Sequence, residues 1–229
     1  MAVILSLETS TPICSIALHE SGALIREKSL DLPGAHSEKL MGMIDTLLDE
    51  CQLTVEDVEA VAVSEGPGSY TGLRIGVSVA KGLAFAREIP LIAISTLKAM
   101  AYGTKSYVND NGLIVAMLDA RRMEVYREVF DQELHSVNKL DSEIIDEESF
   151  TCLLDRGKVY FVGDAVKKVS EVILHPNAVF LDIPISANYV GALGYEKFQR
   201  EEFADLAYFV PNYLKEFKAL QSKKNPLLI

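Results

Sequence analysis

Val3-Ile4-Leu5-Ser6-Leu7-Glu8 and Leu113-Ile114-Val115-Ala116-Met117-Leu118-Asp119 open the two halves of this 229-residue chain in the same way. Each is a short apolar run of strand length that ends on an acid. Each is followed by a short polar turn, Thr9–Pro12 in the first half, and then by a return strand. The return strands are Cys14–His19 and Glu124–Phe130, the latter alternating Val125, Arg127, Val129 against Tyr126, Glu128, Phe130. Ser21–Gly22 makes a tight turn, and Leu24–Ser29 supplies the third strand of a meander.

Outward from these runs the chain continues as helices and strands. After Pro33–Gly34 a helix is predicted over Ser37–Cys51 with Ser37 as its N-cap. Thr54–Val58 reads as a helical turn, Ala60–Ser64 as a buried strand and Gly72–Ala86 as a helix. Leu91–Ile94 is a strand, and Ser95 caps a helix to about Ala101. In the second half, helical stretches at Glu147–Leu154 and Ala165–Val169 flank a strand at Val159–Val162. A duplicated meander followed by helices and strands resembles the actin/hexokinase/Hsp70 layout. The resemblance implies an α/β, actin-like (ASKHA, ribonuclease H-like) fold of duplicated βββαβα lobes. The expected lobes are residues 1–104 and 105–229, with the C-terminal segment returning toward the first lobe in one compact body. In such folds the turns after the first strands face a phosphate-binding cleft, which here would involve Glu8, Ser10, Gly66, Gly68 and Asp119.

Composition narrows the setting. Hydrophobic residues make up 49% of the chain, enough for a substantial core without staples. No run approaches the roughly 18 apolar residues of a membrane span. The N-terminus has no basic region and meets Glu8 too early for a signal peptide, so a cytoplasmic protein is expected. Cys14, Cys51 and Cys152 are far apart and read as reduced packing thiols. The net charge of −11 repels phosphate backbones at long range. Basic clusters at Arg121–Arg122, Lys167–Lys168, and Lys215, Lys218, Lys223 and Lys224 read as solvated surface.

The most distinctive stretch is Gly66-Pro67-Gly68-Ser69-Tyr70-Thr71-Gly72-Leu73-Arg74-Ile75-Gly76. A strand ends at Ser64–Glu65, Gly-Pro-Gly reverses the chain, and a helix starts near Tyr70. Such a helix start favours an anion, but the same residues make a tight turn that needs no ligand, and both readings stay open. Gly72, Gly76, Ala80 and Ala84 recur every four residues as a ridge that another element can approach closely. That element is either this chain's own sheet or another subunit. On the Ser37–Cys51 helix, Leu40, Ile44, Leu47, Leu48 and Cys51 form an apolar stripe that Met41 and Met43 widen beyond a single core-facing band. Two helices with surplus apolar area suggest a helical interface over Leu40, Met41, Ile44, Leu47, Gly72, Ile75, Gly76, Val79, Ala80 and Leu83.

With Ile4–Ser10 before it and Asp119-Ala120-Arg121-Arg122-Met123-Glu124-Val125-Tyr126 after it, this loop resembles the TsaB (YeaZ) family. His36-Ser37-Glu38-Lys39-Leu40 and Pro211-Asn212-Tyr213-Leu214-Lys215 fit as well, so the resemblance covers most of the chain. It implies a partner subunit in making N6-threonylcarbamoyladenosine (t6A) in tRNAs reading ANN codons, one that stabilises and activates a catalytic TsaD-like subunit. It also implies a TsaE-like ATPase as third member, a homodimer through the same helices, and tRNA met mainly through the complex. No tightly bound cofactor is expected on this chain; ATP and a divalent metal are expected in the partner subunits.

The resemblance also bears on catalysis. The related catalytic subunits carry a metal-binding His-x-x-x-His after the strand that corresponds to Leu91–Ile94. Those places fall on Thr96 and Met100, neither of which replaces imidazole. His19, His36, His135 and His175 are scattered, and no catalytic or metal-ligating residue is expected. The competing reading is an ATP-dependent phosphotransferase or hydrolase using Glu8, Asp119 and the Gly66–Gly72 turn.

Overall fold

The computed structural model describes residues 2–32, 34–108 and 111–214. Pro33 of the turn and the lysines Lys215, Lys218, Lys223 and Lys224 lie outside the described residues. The first half runs β1 (Val3–Glu8), β2 (Ile13–Glu20), β3 (Ala23–Asp31), α1 (Ala35–Glu50), β4 (Ala60–Gly66), α2 (Tyr70–Arg87), β5 (Leu91–Ser95) and α3 (Thr96–Gly103). The second runs β6 (Leu113–Asp119), β7 (Glu124–Phe130), β8 (Ser136–Ile144), α4 (Thr151–Leu154), β9 (Val159–Val162), α5 (Val166–Ser170), β10 (Ala178–Leu181) and α6 (Ala187–Gln199).

The two sheets share one topology, β3-β2-β1-β4-β5 and β8-β7-β6-β9-β10. In each the first three strands form an antiparallel meander and the last two add in parallel. The duplicated α/β layout expected from the two opening runs is the observed one. Five elements differ from the sequence reading, among them the stretch expected to be helical over Glu147–Leu154, which forms a helix only at Thr151–Leu154. The first helix starts at Ala35 behind a left-handed Gly34, so Ser37 is an interior first-turn residue whose hydroxyl donates to the Gly34 carbonyl rather than an N-cap. Strands β8 and β10 and helix α6 were not anticipated.

Period-2 alternation along β1 sends Leu5 and Leu7 to one side and Ile4 to the other. On the first side α1 and α2 cover the sheet, with Leu40, Ile44 and Leu47 no more than 1% exposed against Leu5, Ile16 and Val61. On the other side α3 and α6 lie between the two sheets. There Ile4 and Ala62 share one core with Leu97, Met100, Val190 and Leu193 and with Ile114, Ala116 and Leu118 of β6. A third cluster, around Phe161, sits on the outer face of the second sheet. The middle cluster joins the two halves. Among the described residues no helix is long and apolar enough to cross a membrane.

All three thiols are free, but their settings differ: Cys14 is buried, Cys51 intermediate and Cys152 exposed. Burial, with the nearby Glu8 charge, pushes the Cys14 thiol up to about 11, which suppresses its thiolate at neutral pH. Iodoacetamide at mildly alkaline pH should therefore label Cys152 first and spare Cys14 until the chain is denatured. Peptide mass spectrometry over a labelling time course checks the order.

Candidate functional site

The Gly66–Gly76 loop is packed against the β1–β2 turn at the limit of contact. A Cβ at Gly68 would sit 2.6 Å from the Ser10 carbonyl oxygen. One at Gly72 would lie 2.1 Å from the Thr9 carbonyl oxygen, and one at Gly76 would lie 2.1 Å from Thr9 Oγ1. The small-residue ridge of α2 thus meets this chain's own sheet, as Ala80 and Ala84, both fully buried, also do. Three of the loop's amides are already partnered. The Ser69 amide donates to the Ser10 carbonyl at 2.6 Å, and the Leu73 amide to the Ser69 carbonyl at 2.8 Å. Ser69 Oγ accepts from the Gly72 amide as the helix N-cap. From the other side Asn212 donates its amide to the Glu65 carbonyl at 2.7 Å, and Tyr213 packs on Tyr70 with ring centroids 4.9 Å apart. Among the two readings of the loop, the geometry favours the tight turn over a phosphate cradle.

The five residues expected at a nucleotide cleft are not brought to one cavity. Ser10, Gly66 and Gly68 belong to the packed loop and turn just described. Glu8 is fully buried, with one carboxylate oxygen accepting the Ser10 amide at 2.6 Å. Its other oxygen has no hydrogen-bond partner among the described residues, nor have the buried hydroxyls of Ser10 and Ser64. Burial raises the Glu8 pKa, opposed by the Ser10, Ser64 and Thr9 groups around it. Asp119 has the opposite fate. Partial burial would raise it, but the Lys168 ammonium 2.7 Å away and the Arg121 amide outweigh this and hold it low.

A cleft of about 270 Å³ does exist, lined by Thr11, Pro12, Met100, Gly163 and Ile185 together with three carboxylates, Asp31, Asp164 and Asp182. No lysine or arginine lines it among the described residues. A phosphate chain there would meet like charge without a counter-cation. The places of the two catalytic histidines, Thr96 and Met100, are 0% and 3% exposed on α3. Asp131, Glu133 and His135 do converge within 4.8 Å at the β7–β8 turn, which the sequence reading missed. They are mostly exposed, and Asp131 is already bonded to the His135 amide and ring.

The ten interface candidates separate by burial. Leu40, Ile44, Leu47, Gly72, Gly76 and Ala80 are buried in this chain's own interior, where an amphipathic helix puts its most apolar stripe. These six are therefore not available to a partner. Ile75, Val79 and Leu83 rim the same core half-buried, as does Met43. Met41 is 49% exposed, and Phe85, which the sequence reading did not single out, is 75% exposed.

Comparisons with known proteins fit this picture. Residues 33–223 match the family model described as TsaD, tRNA N6-adenosine threonylcarbamoyltransferase. The tRNA threonylcarbamoyladenosine biosynthesis protein TsaB of Bacillus subtilis is 31% identical over 96% of this chain and 99% of its own length. The TsaB protein of Escherichia coli is 38% identical over 54% of this chain and 52% of its own. The solved structure of YeaZ from Pseudomonas aeruginosa superposes with a TM-score of 0.82 at 28% identity, covering 93% of this chain and 100% of that one. The activator of 2-hydroxyisocaproyl-CoA dehydratase from Clostridium difficile, at TM-score 0.51 and 11% identity, shares the fold alone. Fold and matches together define an actin-like protein of the threonylcarbamoyladenosine class. The chain belongs to the TsaB (YeaZ) family.

Two substitutions check the packing. Gly72→Ala should destabilise the chain by about 2–3 kcal/mol, because the added carbon meets backbone that cannot rotate away. Gly82→Ala, on the same helix with nothing within 4 Å of its added carbon, should gain about 0.5–1 kcal/mol; urea unfolding reads both. Glu8 predicts a pH effect. A carboxyl with a raised folded pKa stabilises only while protonated, so its contribution is complete below the usual 4.5 and is lost as pH rises through the raised value. Glu8→Gln should leave the melting temperature nearly unchanged near pH 4 and raise it increasingly toward about pH 8.

Proposed function

We propose that this chain is a non-catalytic partner subunit for t6A formation, in tRNAs reading ANN codons, and that it stabilises and activates a TsaD-like catalytic subunit. The observation that carries this reading is the seam between α1 and α2. Met43, Ile75, Val79 and Leu83 pack partly buried on the rim of the core that α1 and α2 cover, and Met41 on α1 and Phe85 on α2 are exposed. Apolar residues that the chain's own core leaves uncovered are the material of a subunit interface. The catalytic histidine places being filled by Thr96 and Met100 supports assigning the chemistry to the partner. On this reading ATP and the divalent metal belong to the partner subunits, a TsaE-like ATPase joins the assembly, and tRNA is met mainly through the complex in the cytoplasm. A homodimer uses the same seam and gives way when the catalytic subunit binds.

The seam is tested at Val79 and Met41, because substitutions at Ile44 or Ala80 would report on folding instead. Val79→Arg with Met41→Asp should weaken association with the TsaD-like subunit by at least about 30-fold, the scale of a lost interface hot spot. Circular dichroism should stay native, and t6A formation in the reconstituted system should fall to the level without this chain. Normal pairing by the folded double variant, or t6A formation that does not depend on this chain, refutes the reading. Micromolar ATP binding by the isolated chain would favour the phosphotransferase or hydrolase alternative.

A further inference from the structure

The Asp119–Tyr126 segment is a family motif with no part in the reading above. Its turn joins β6 to β7 and carries Arg121 and Arg122 in consecutive left-handed conformations, φ 72° and 52°. Glycine and asparagine are the ordinary choices for such backbone, so turn geometry does not account for arginine at both positions.

The second basic pair noted in the sequence, Lys167–Lys168, arrives at the same place on α5. Lys168 turns inward: its Nζ donates to Asp119 Oδ1 at 2.7 Å, to the Arg122 carbonyl at 2.9 Å and to the Glu124 carbonyl at 2.7 Å. Asp119 also accepts the Arg121 amide at 2.6 Å. Lys168 and Asp119 thereby fix the turn's backbone and neutralise one another, which leaves Arg121, Arg122 and Lys167 exposed. Among the described residues neither guanidinium has an ion pair or hydrogen bond. By contrast Arg26, Arg87, Arg127 and Arg200 each pair with a glutamate. Arg74 lies over the Tyr70 ring and Arg156, like the pair, has no ion pair among the described residues, but Arg121 and Arg122 stand adjacent on a held turn in a chain of net charge −11. Beside them lies a surface hollow of about 480 Å³ bordered by Ala120, Met123, Ile144 and the acid Glu124, with Ile144 73% exposed.

Guanidinium groups match phosphate oxygens in a bidentate fork, and an apolar hollow next to them suits a sugar or base. We propose that Arg121 and Arg122, flanked by Lys167, grip the phosphate backbone of the tRNA while the partner subunit modifies it. This rests on the reading of the chain as a subunit of a tRNA-modifying assembly. RNA is favoured over an acidic protein segment because successive phosphates satisfy both arginines at once and the adjoining sugar and base fill the hollow.

The test uses the reconstituted complex of this chain with its TsaD-like subunit and unmodified tRNA. Affinity is measured from about 50 to 200 mM salt, alongside subunit association. The double variant R121Q/R122Q should bind tRNA about tenfold more weakly at the low-salt end and lower the slope of log K against log salt by about 1–2. Subunit association should be unchanged, and R121K/R122K should restore most of the slope. K167Q, which leaves the turn untouched, should give a smaller drop of the same kind and keeps the test open if the arginine variants fold poorly. Unchanged tRNA affinity and slope in both R121Q/R122Q and K167Q overturns the proposal. Unchanged tRNA affinity with lost subunit association also overturns it, and assigns the patch to an acidic protein surface. If the unaltered chain neither binds the catalytic subunit nor supports modification, the functional reading itself has failed, a result distinct from either of these.

Discussion

The seating of α2 on the β1–β2 turn is the constraint on which the rest of the molecule depends. Three positions on one stretch, Gly68, Gly72 and Gly76, lie so close to Thr9 and Ser10 that no side chain fits between them. This contact fixes the roll of α2 about its own axis. With Gly72, Gly76, Ala80 and Ala84 facing inward, Ile75, Val79 and Leu83 are turned toward the seam with α1. The same contact closes the loop, because the Ser69 amide that would face a ligand is bonded to Ser10. The C-terminal segment clamps it from behind: a Cβ on Gly66 would meet the Asn212 carbonyl oxygen at 2.6 Å. The loop thus ties the β1–β2 turn to the segment around Asn212.

The second half repeats the plan with a different outcome. Both sheets end their fourth strand on a left-handed glycine, Gly66 at φ 115° in β4 and Gly163 at φ 119° just after β9. In each case the missing side chain permits a close backbone approach, to Asn212 in one and to the Met117 carbonyl in the other. The following helix spans 18 residues in α2 but only 5 in α5. The shorter helix leaves the β6–β7 turn uncovered, where in the first half α2 buries the corresponding turn. Lys168 compensates from α5 by bonding the turn's carbonyls and Asp119. Duplication thus supplied two equivalent turns, one sealed beneath a helix and one held open at the surface.

Much of this was legible in the sequence where the local signal and the tertiary demand agree. The runs Val3–Glu8 and Leu113–Asp119 are buried on both faces and read as unbroken apolar strands. The Leu40–Leu47 stripe and the four-residue ridge of α2 were visible as packing surfaces. Sequence spacing does not say what packs on them, and the inward choice follows from Thr9 lying within reach. Helix α6 was missed because Gly191 and Gly194 weaken its local helical signal. They are there for contact: a Cβ at Gly191 would meet His19 Nδ1 at 2.2 Å, and one at Gly194 would meet Ala62. Strand β8 was missed because its edge position leaves Ser136–Lys139 exposed, so it carries little hydrophobic pattern.

Glu8 and Asp119 show how the same position in the two halves meets two different surroundings. Both close the first strand of their half, where the fold can place an acid before a phosphate cleft. Glu8 is fully buried, which raises its pKa, and one of its oxygens already accepts the Ser10 amide at 2.6 Å. Asp119 is held low, with Lys168 as its counter-ion 2.7 Å away. The cleft lined by Thr11 and Gly163 carries Asp31, Asp164 and Asp182, and burial together with the Asp119 charge pushes Asp164 upward against the opposing pull of Lys168. The groups still free to act lie on the surface, in the α1–α2 seam on one half and the arginine turn on the other. As the proposed partner subunit, the chain would hold other macromolecules through these surface groups.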